Sequence, residues 1–340
     1  MQRDIDTDAV VARVTYEAHP EALTPIPWPK GLAPTVTTHT TSGGDAVPKA
    51  DVLIVTWTAA EFQALADVLT PGCPSTEWSH YTKNWSAYEA QLTDRSPAKE
   101  AQRLGEYALT KIGTTHALCF HSQLHLATDG LEPPIVQLWQ QIIGEVEPKL
   151  VITTGTAGGI GTSTCLGDVF VVSNAKFNCT KDFKDKPWAQ QRFEGPALPA
   201  KTGASNYLTK AQEALVPANA GHLRPEATRN PHIGRGGDVE TVDYFGFADT
   251  DDSYGIVKND PLAHTEEMDD ATLPLALSLM SASLHTPWVS IRNASDPQVP
   301  SSIGDLEAQK QWASQIYEKY GYWTTVGSAI ASWAVIADLN

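Results

Sequence analysis

Cysteine is scarce in this chain of 340 residues: Cys73, Cys119, Cys165 and Cys179 are the only four, widely spaced and with no C-x-x-C among them. That spacing gives neither a zinc pattern nor a disulfide framework, and it fits reduced thiols in a cytoplasm. Basic residues are outnumbered, 24 Lys and Arg against 40 Asp and Glu, for a formal net charge of −16. No cluster of Lys and Arg offsets this, so a phosphate backbone or an anionic membrane surface would be repelled, and neither nucleic acid nor membrane is expected as a partner. A long apolar run is missing too. The stretch from Ser328 to Leu339 falls short of the roughly 20 residues of a membrane span and is interrupted by Ser332 and Asp338, so a packed terminal helix is expected. The opening Met1-Gln2-Arg3-Asp4-Ile5-Asp6-Thr7-Asp8 carries acid where a secretory signal needs base and then an apolar core. Export is not expected.

What is present is a globular composition, 41% hydrophobic, enough for a large core and for two domains or one large α/β unit. Residues 1–50 are rich in Pro, Thr and Gly, and Thr24-Pro25-Ile26-Pro27-Trp28-Pro29 is kept out of helix by its alternating prolines. They read as an N-terminal extension packed on a body that spans 51–340. Asp51 to Thr56 reads as a buried strand, and Ala59 to Leu69 as a helix with Phe62, Leu65, Ala66 and Leu69 at helical spacing. Ile135, Leu138, Trp139, Ile142, Ile143 and Val146 recur with a period near 3.6 and predict a helix that Pro148 ends. Strands are expected from Leu150, over Val169–Val172 and over Trp288–Arg292, the last preceded by a helix from about Ala271 to Leu284 with Pro274 near its first turn. Residues 178–235 read as long loops with short elements. Strand followed by helix is an α/β signature.

The run Leu150-Val151-Ile152-Thr153 meets Thr154-Gly155-Thr156-Ala157-Gly158-Gly159-Ile160-Gly161, read as a glycine-rich turn where backbone NH groups can approach a ligand. A dinucleotide-binding oxidoreductase is one reading, but G-x-G-x-x-G spacing is absent and the next strand does not end in an acidic residue about 20 positions on. Asp168 is expected to fix the turn ahead of Val169.

Four ordered segments carry a resemblance. The glycine-rich strand end, Gly167-Asp168-Val169, Glu266-Glu267-Met268-Asp269-Asp270-Ala271 and Ile291-Arg292-Asn293-Ala294-Ser295-Asp296 together resemble the nucleoside phosphorylase and nucleosidase superfamily, and most closely its branch that hydrolyses methylthioadenosine and adenosylhomocysteine. The resemblance implies a single α/β domain with a mixed, twisted central sheet flanked by helices. It implies cleavage of the N-ribosyl bond of a purine nucleoside or a 5′-modified one, with release of the free base. Asp296 matches the acid at the base and Ser295 its orienting hydroxyl; Glu267, Met268 and Asp269 match the ribose contacts; Thr154, Gly155, Ala157 and Gly158 match the strand end that runs past base and sugar. The family usually has Glu where this chain has Asp269, so either the helix sits closer or Glu267 or Asp270 takes over the sugar contact. Taken alone, Ser295-Asp296-Pro297 fits an ordinary turn or cap, and Glu267 and Asp269 an acidic helix start.

Glu61 falls where the hydrolytic branch has a glutamate that helps activate water; by local context alone it equally fits a solvated charge on a first helical turn. Phosphorolysis would need a basic anion site, and Thr56-Trp57-Thr58-Ala59 has no Arg. Water is therefore favoured over phosphate. No cofactor is implied, phosphate entering as co-substrate only in a phosphorylase. The second glycine-rich turn of the family is replaced by Cys119-Phe120-His121-Ser122-Gln123-Leu124-His125, where His121 or Ser122 could hold phosphate or a 5′ group. His121 and His125 lack a third metal ligand, and no metal is expected. For the base, Phe177, Phe183 and Tyr244-Phe245-Gly246-Phe247 fall where the family stacks aromatics, Phe245 being favoured. The resemblance implies a homo-oligomer that binds a small-molecule nucleoside. The alternatives are a phosphate-dependent phosphorylase and a nucleoside-binding module without catalysis.

Overall fold

The computed structural model describes residues 22–37, 44–196, 206–281 and 286–340. The acidic opening residues and the end of the helix expected over 271–284 lie outside these. Among the described residues thirteen strands form one mixed sheet: β1 (Thr35–Thr37), β2 (Val52–Thr56), β3 (Ser79–Tyr81), β4 (Gly105–Ile112), β5 (Thr115–Ser122), β6 (Leu150–Gly159), β7 (Val169–Val172), β8 (Asn174–Phe177), β9 (Arg192–Glu194), β10 (Ile233–Arg235), β11 (Asp238–Thr241), β12 (Ala263–Glu267) and β13 (Trp288–Asp296). The longer helices are α1 (Ala59–Leu69), α2 (Val136–Val146), α3 (Thr272–Ser278) and α4 (Leu306–Ala337).

Side-chain alternation dictates the layers. Val52 and Ile54 of β2 with Leu150 and Ile152 of β6 face one core, and Leu53, Val55 and Val151 face the other. Strands buried on both faces need helices over each. The first face is covered by α1 and α4, through Ala64, Leu65 and Val68 and through Ile330, Trp333 and Ala334. The second is covered by α2 and α3, where Trp139 Nε1 donates to Thr272 Oγ1 at 3.0 Å. The expected helix ending before Pro148 appears as α2, closed by Glu147 at φ 50°. α3 is shorter than expected, seven residues, with Pro274 inside its first turn. Residues 328–339 are the end of the long α4, and among the described residues no helix is long and apolar enough to cross a membrane.

β6 organises the sheet. It pairs parallel with β2 on one flank and with β13 on the other, then passes the end of β2, and its last residues Gly158 and Gly159 pair antiparallel with Glu266 and Thr265 of β12. The sheet therefore forks where β2 stops, and the fork opens a cavity. The glycine-rich segment read from the sequence as a turn is strand through Gly159. The physical reason is lateral support, since β13 pairs with it from Val151 to Gly158 and leaves no unpaired stretch to turn. Asp168 shapes the turn before β7, accepting Cys165 N at 2.8 Å and His232 N at 2.7 Å while pairing with Arg229.

The segment from residue 22 lies over the first face. Leu23, Ile26, Trp28 and Leu32 pack against that core. Trp28 and Trp333 have ring centroids 4.8 Å apart, Trp333 Nε1 donates to Leu32 O at 2.6 Å, and β1 pairs with β4. Between 178 and 235 the described residues hold only short elements, as read from their composition.

Candidate active site

α1 begins at the fork because Thr58 caps it. Glu61 N donates to Thr58 Oγ1 at 3.4 Å, and the Glu61 carboxylate returns to Thr58 N at 2.9 Å, a reciprocal capping box. The same carboxylate accepts from Thr56 Oγ1, Trp57 N, Thr156 N and Thr156 Oγ1 at 2.7 to 2.8 Å. Glu61 is thus buried rather than a solvated surface charge, and it ties α1 to β6. Burial alone would raise its pKa; the charge of Arg292 and these donors outweigh burial and hold it below the ordinary glutamate range.

A partly open cavity lies at the fork. Its lining comes from Trp57 and Glu61, from Thr156 to Gly158 at the end of β6, from Val242 and Gly246, from Glu266 to Asp269, and from His125 and Arg292. Arg292 stands on β13 opposite Gly155 and is fully buried. It forms a bidentate pair with Asp270 and lies 3.3 Å from Glu267, 3.5 Å from Glu61 and 5.0 Å from the Trp57 ring centroid. Burial works against its charge, and the surrounding carboxylates more than restore it.

Glu267 is fixed from three directions, accepting Thr241 Oγ1 at 2.5 Å, Asp269 N at 2.6 Å and Asp270 N at 2.9 Å. Burial and the Asp270 charge push its carboxyl upward, with Arg292 pulling the other way. Asp269 accepts Leu126 N at 2.8 Å and faces His125 Nδ1 at 3.4 Å. His125 Nε2 is buried with no hydrogen-bond partner among the described residues. Burial lowers the His125 pKa, but Asp269, then Asp129 and Glu61, raise it above the ordinary histidine value.

At the far end, Ser295 Oγ contacts Ala157 O at 3.2 Å and Asp296 Oδ1 at 2.9 Å. Asp296 is buried just behind the lining: its Oδ2 and Glu266 Oε1 are 3.4 and 2.9 Å from the point a Cβ on Gly158 would occupy. Burial first, and then the charge of Asp296, push Glu266 well above the ordinary glutamate range.

Of the residues expected from the sequence, Glu61, Ala157, Gly158, Glu267, Met268 and Asp269 line the cavity, and Ser295 and Asp296 lie directly behind it. Thr154 and Gly155 are buried beneath the lining, where a Cβ on Gly155 would collide with the Glu61 carboxyl. His121 and Ser122 are a correction. His121 Nδ1 bonds Glu106 at 2.9 Å and Nε2 meets Trp57 O at 2.8 Å, its ring stacked on Phe62, and Ser122 Oγ donates to Leu124 O at 3.0 Å. Both are consumed by the fold, and the Glu106 carboxylate, held down to about 2 against its burial by His121 and Arg103, would repel an anion there. Phe245 is a second correction, packed into a core with Phe247, Val299 and Ala313; the aromatic at the cavity is Trp57. Phe177 and Phe183 belong to the second-face core. Among the described residues no group of three His, Cys, Asp or Glu could hold a metal ion. Sequence reasoning missed Trp57, His125, Glu266 and Arg292. The Glu266-to-Ala271 and Ile291-to-Asp296 segments contained two of them, unweighted.

The fold is shared with solved nucleosidase structures. The chain is similar to the 5′-methylthioadenosine/S-adenosylhomocysteine nucleosidase of Neisseria meningitidis, solved with methylthio-immucillin-A, at 15% identity over 85% of this chain and 99% of that one, TM-score 0.53. It is similar to the Helicobacter pylori nucleosidase of that name at 12% identity over 84% and 98%, TM-score 0.51, and to futalosine hydrolase of Helicobacter pylori at 12% over 84% and 96%, TM-score 0.50. At these identities the likeness establishes the fold. No protein-family model matches the chain, and no curated protein matches its sequence.

Proposed function

We propose that this chain hydrolyses the N-ribosyl bond of a purine nucleoside or 5′-modified purine nucleoside and releases the free base. The observation that carries the choice of water is the charge of the cavity. Glu61, Glu266, Glu267 and Asp269 line it, and its one arginine is already matched by Asp270, Glu267 and Glu61. A phosphate nucleophile would enter against the Glu61 anion with no uncommitted guanidinium to receive it.

The same arrangement suits glycosidic cleavage. As the C1′–N bond breaks, positive charge grows on the sugar and negative charge on the departing base. Glu61, fixed as an anion by five donors, stabilises the cationic sugar and orients the attacking water without reorganising. Glu267 and the Asp269–His125 pair face the ribose hydroxyls across Met268. Asp296, oriented by Ser295, is the acid at the base end.

The test is base release from a panel of purine nucleosides, followed by chromatography with and without phosphate. Release that needs no phosphate, and that Asp296→Asn reduces by about 100-fold, is expected. Release that depends on phosphate would overturn the choice of water, and no release from any nucleoside would end the enzyme reading.

A further inference from the structure

Glu266 is the most unusual buried group at the cavity. It is 2% exposed, and neither carboxyl oxygen has a hydrogen-bond partner among the described residues. Both oxygens sit where two cavity-lining glycines leave room. Oε1 is 2.9 Å from a Cβ position on Gly158, and Oε2 is 2.5 Å from one on Gly246. A side chain at either glycine would displace the carboxyl, so the backbone is shaped around it. A buried carboxyl without a partner is costly and is found in folded proteins mainly where something else completes it.

We propose that Glu266 contacts the base of the bound nucleoside directly and, with Asp296 behind it, forms a carboxyl pair that shares the proton delivered to the base as the glycosidic bond breaks. This rests on the reading that the cavity takes a nucleoside. The charges acting most strongly on Glu266 all push the same way, Asp296 on β13, Glu240 on β11, and Asp249 and Asp252 in the loop after β11, and Tyr244 of that loop lies beside it. Glu266 Oε1 and Asp296 Oδ2 border the same point beside Gly158, and neighbouring buried carboxyls favour sharing one proton. Glu266 is the member on the cavity side, while Asp296 is tied to Ser295. A neutral carboxyl offers an O–H donor beside a C=O acceptor, which matches a purine edge carrying a ring nitrogen next to an exocyclic amine. In the reaction the C1′–N bonding pair leaves on the base and the carboxyl proton goes to a ring nitrogen. Water then adds its oxygen to C1′, and the proton it releases restores the carboxyl pair.

The experiment compares wild type, Glu266→Gln and Asp296→Asn on two substrates: adenosine, whose base needs a proton to leave, and p-nitrophenyl riboside, whose leaving group does not. Glu266→Gln is expected to lower adenosine cleavage by about 100-fold or more while p-nitrophenyl riboside cleavage changes little. The fall in adenosine kcat/KM at alkaline pH is expected to be absent from the p-nitrophenyl substrate. Equal losses on both substrates, or none on either, would overturn the proposal. Calorimetric titration of adenine separates the two layers of argument. If wild type binds adenine and Glu266→Gln binds it equally with an unchanged substrate ratio, only the role of Glu266 falls. If wild type neither binds adenine nor cleaves adenosine, the nucleoside reading fails and the proposal with it.

Discussion

Arg292 shows how much of this site depends on single side chains. A buried guanidinium has to be matched, and Asp270, Glu267 and Glu61 match it at once. Its removal leaves three carboxylates buried without their cation. Arg292→Met is therefore expected to cost about 3–5 kcal/mol, measured by urea unfolding, and to abolish base release. Arg292→Lys keeps the charge but not the fork that grips Asp270 through two nitrogens. It should recover part of the stability and little of the activity. At this scale the sequence was half legible. Glu61, Glu267 and Asp296 stood out because their neighbours formed ordered motifs. Glu266 and Arg292 lay inside the same motifs, yet their roles come from each other's surroundings: Arg292 on β13 meets α1, and Glu266 on β12 meets the end of β6. His121 misled for the same reason, since its partner Glu106 is on the neighbouring strand, fifteen residues away in the chain.

Among the elements, β6 is decisive. Its apolar start was readable from periodicity, but its continuation through Gly155 to Gly159 was not, because a glycine-rich stretch reads locally as a turn and becomes strand only when β13 and β12 pair with it. Gly155 sits at φ 151°, and a side chain there would run into the Glu61 carboxyl. Gly155→Ala is expected to destabilise the protein by about 3 kcal/mol through overpacking and backbone strain. A chemical denaturation curve checks this, and activity should fall further than stability because the displaced group is Glu61. α1 and α2 were predicted well, since long amphipathic periods survive any tertiary context. The helix expected from 271 was overextended because nothing local marks Ser278 as its last residue.

For the whole molecule, the acidic balance that set aside nucleic acid at the outset continues into the cavity, where the lining carboxylates outnumber the one arginine. The α/β class was legible from strand followed by helix and the mixed sheet flanked by helices from the family resemblance, whereas the fork was not, because strand order is a long-range property. Those distant strands also predict a global response to ligand. A base bound at about 100 times its Kd should raise the unfolding free energy by about 2.7 kcal/mol, read as a higher melting temperature.

The cavity walls come from Trp57 and Glu61, His125, Thr156 to Gly158, Val242 and Gly246, Glu266 to Asp269, and Arg292. These stretches are scattered along most of the chain, from residue 57 to residue 292. On the proposed function, a nucleoside held there would work as a clasp, since each stretch that touches it could open only by releasing it. Protease digestion with the base present should therefore slow at cleavage points remote from the cavity as well as beside it, so that occupancy of one small space governs the lifetime of the entire chain.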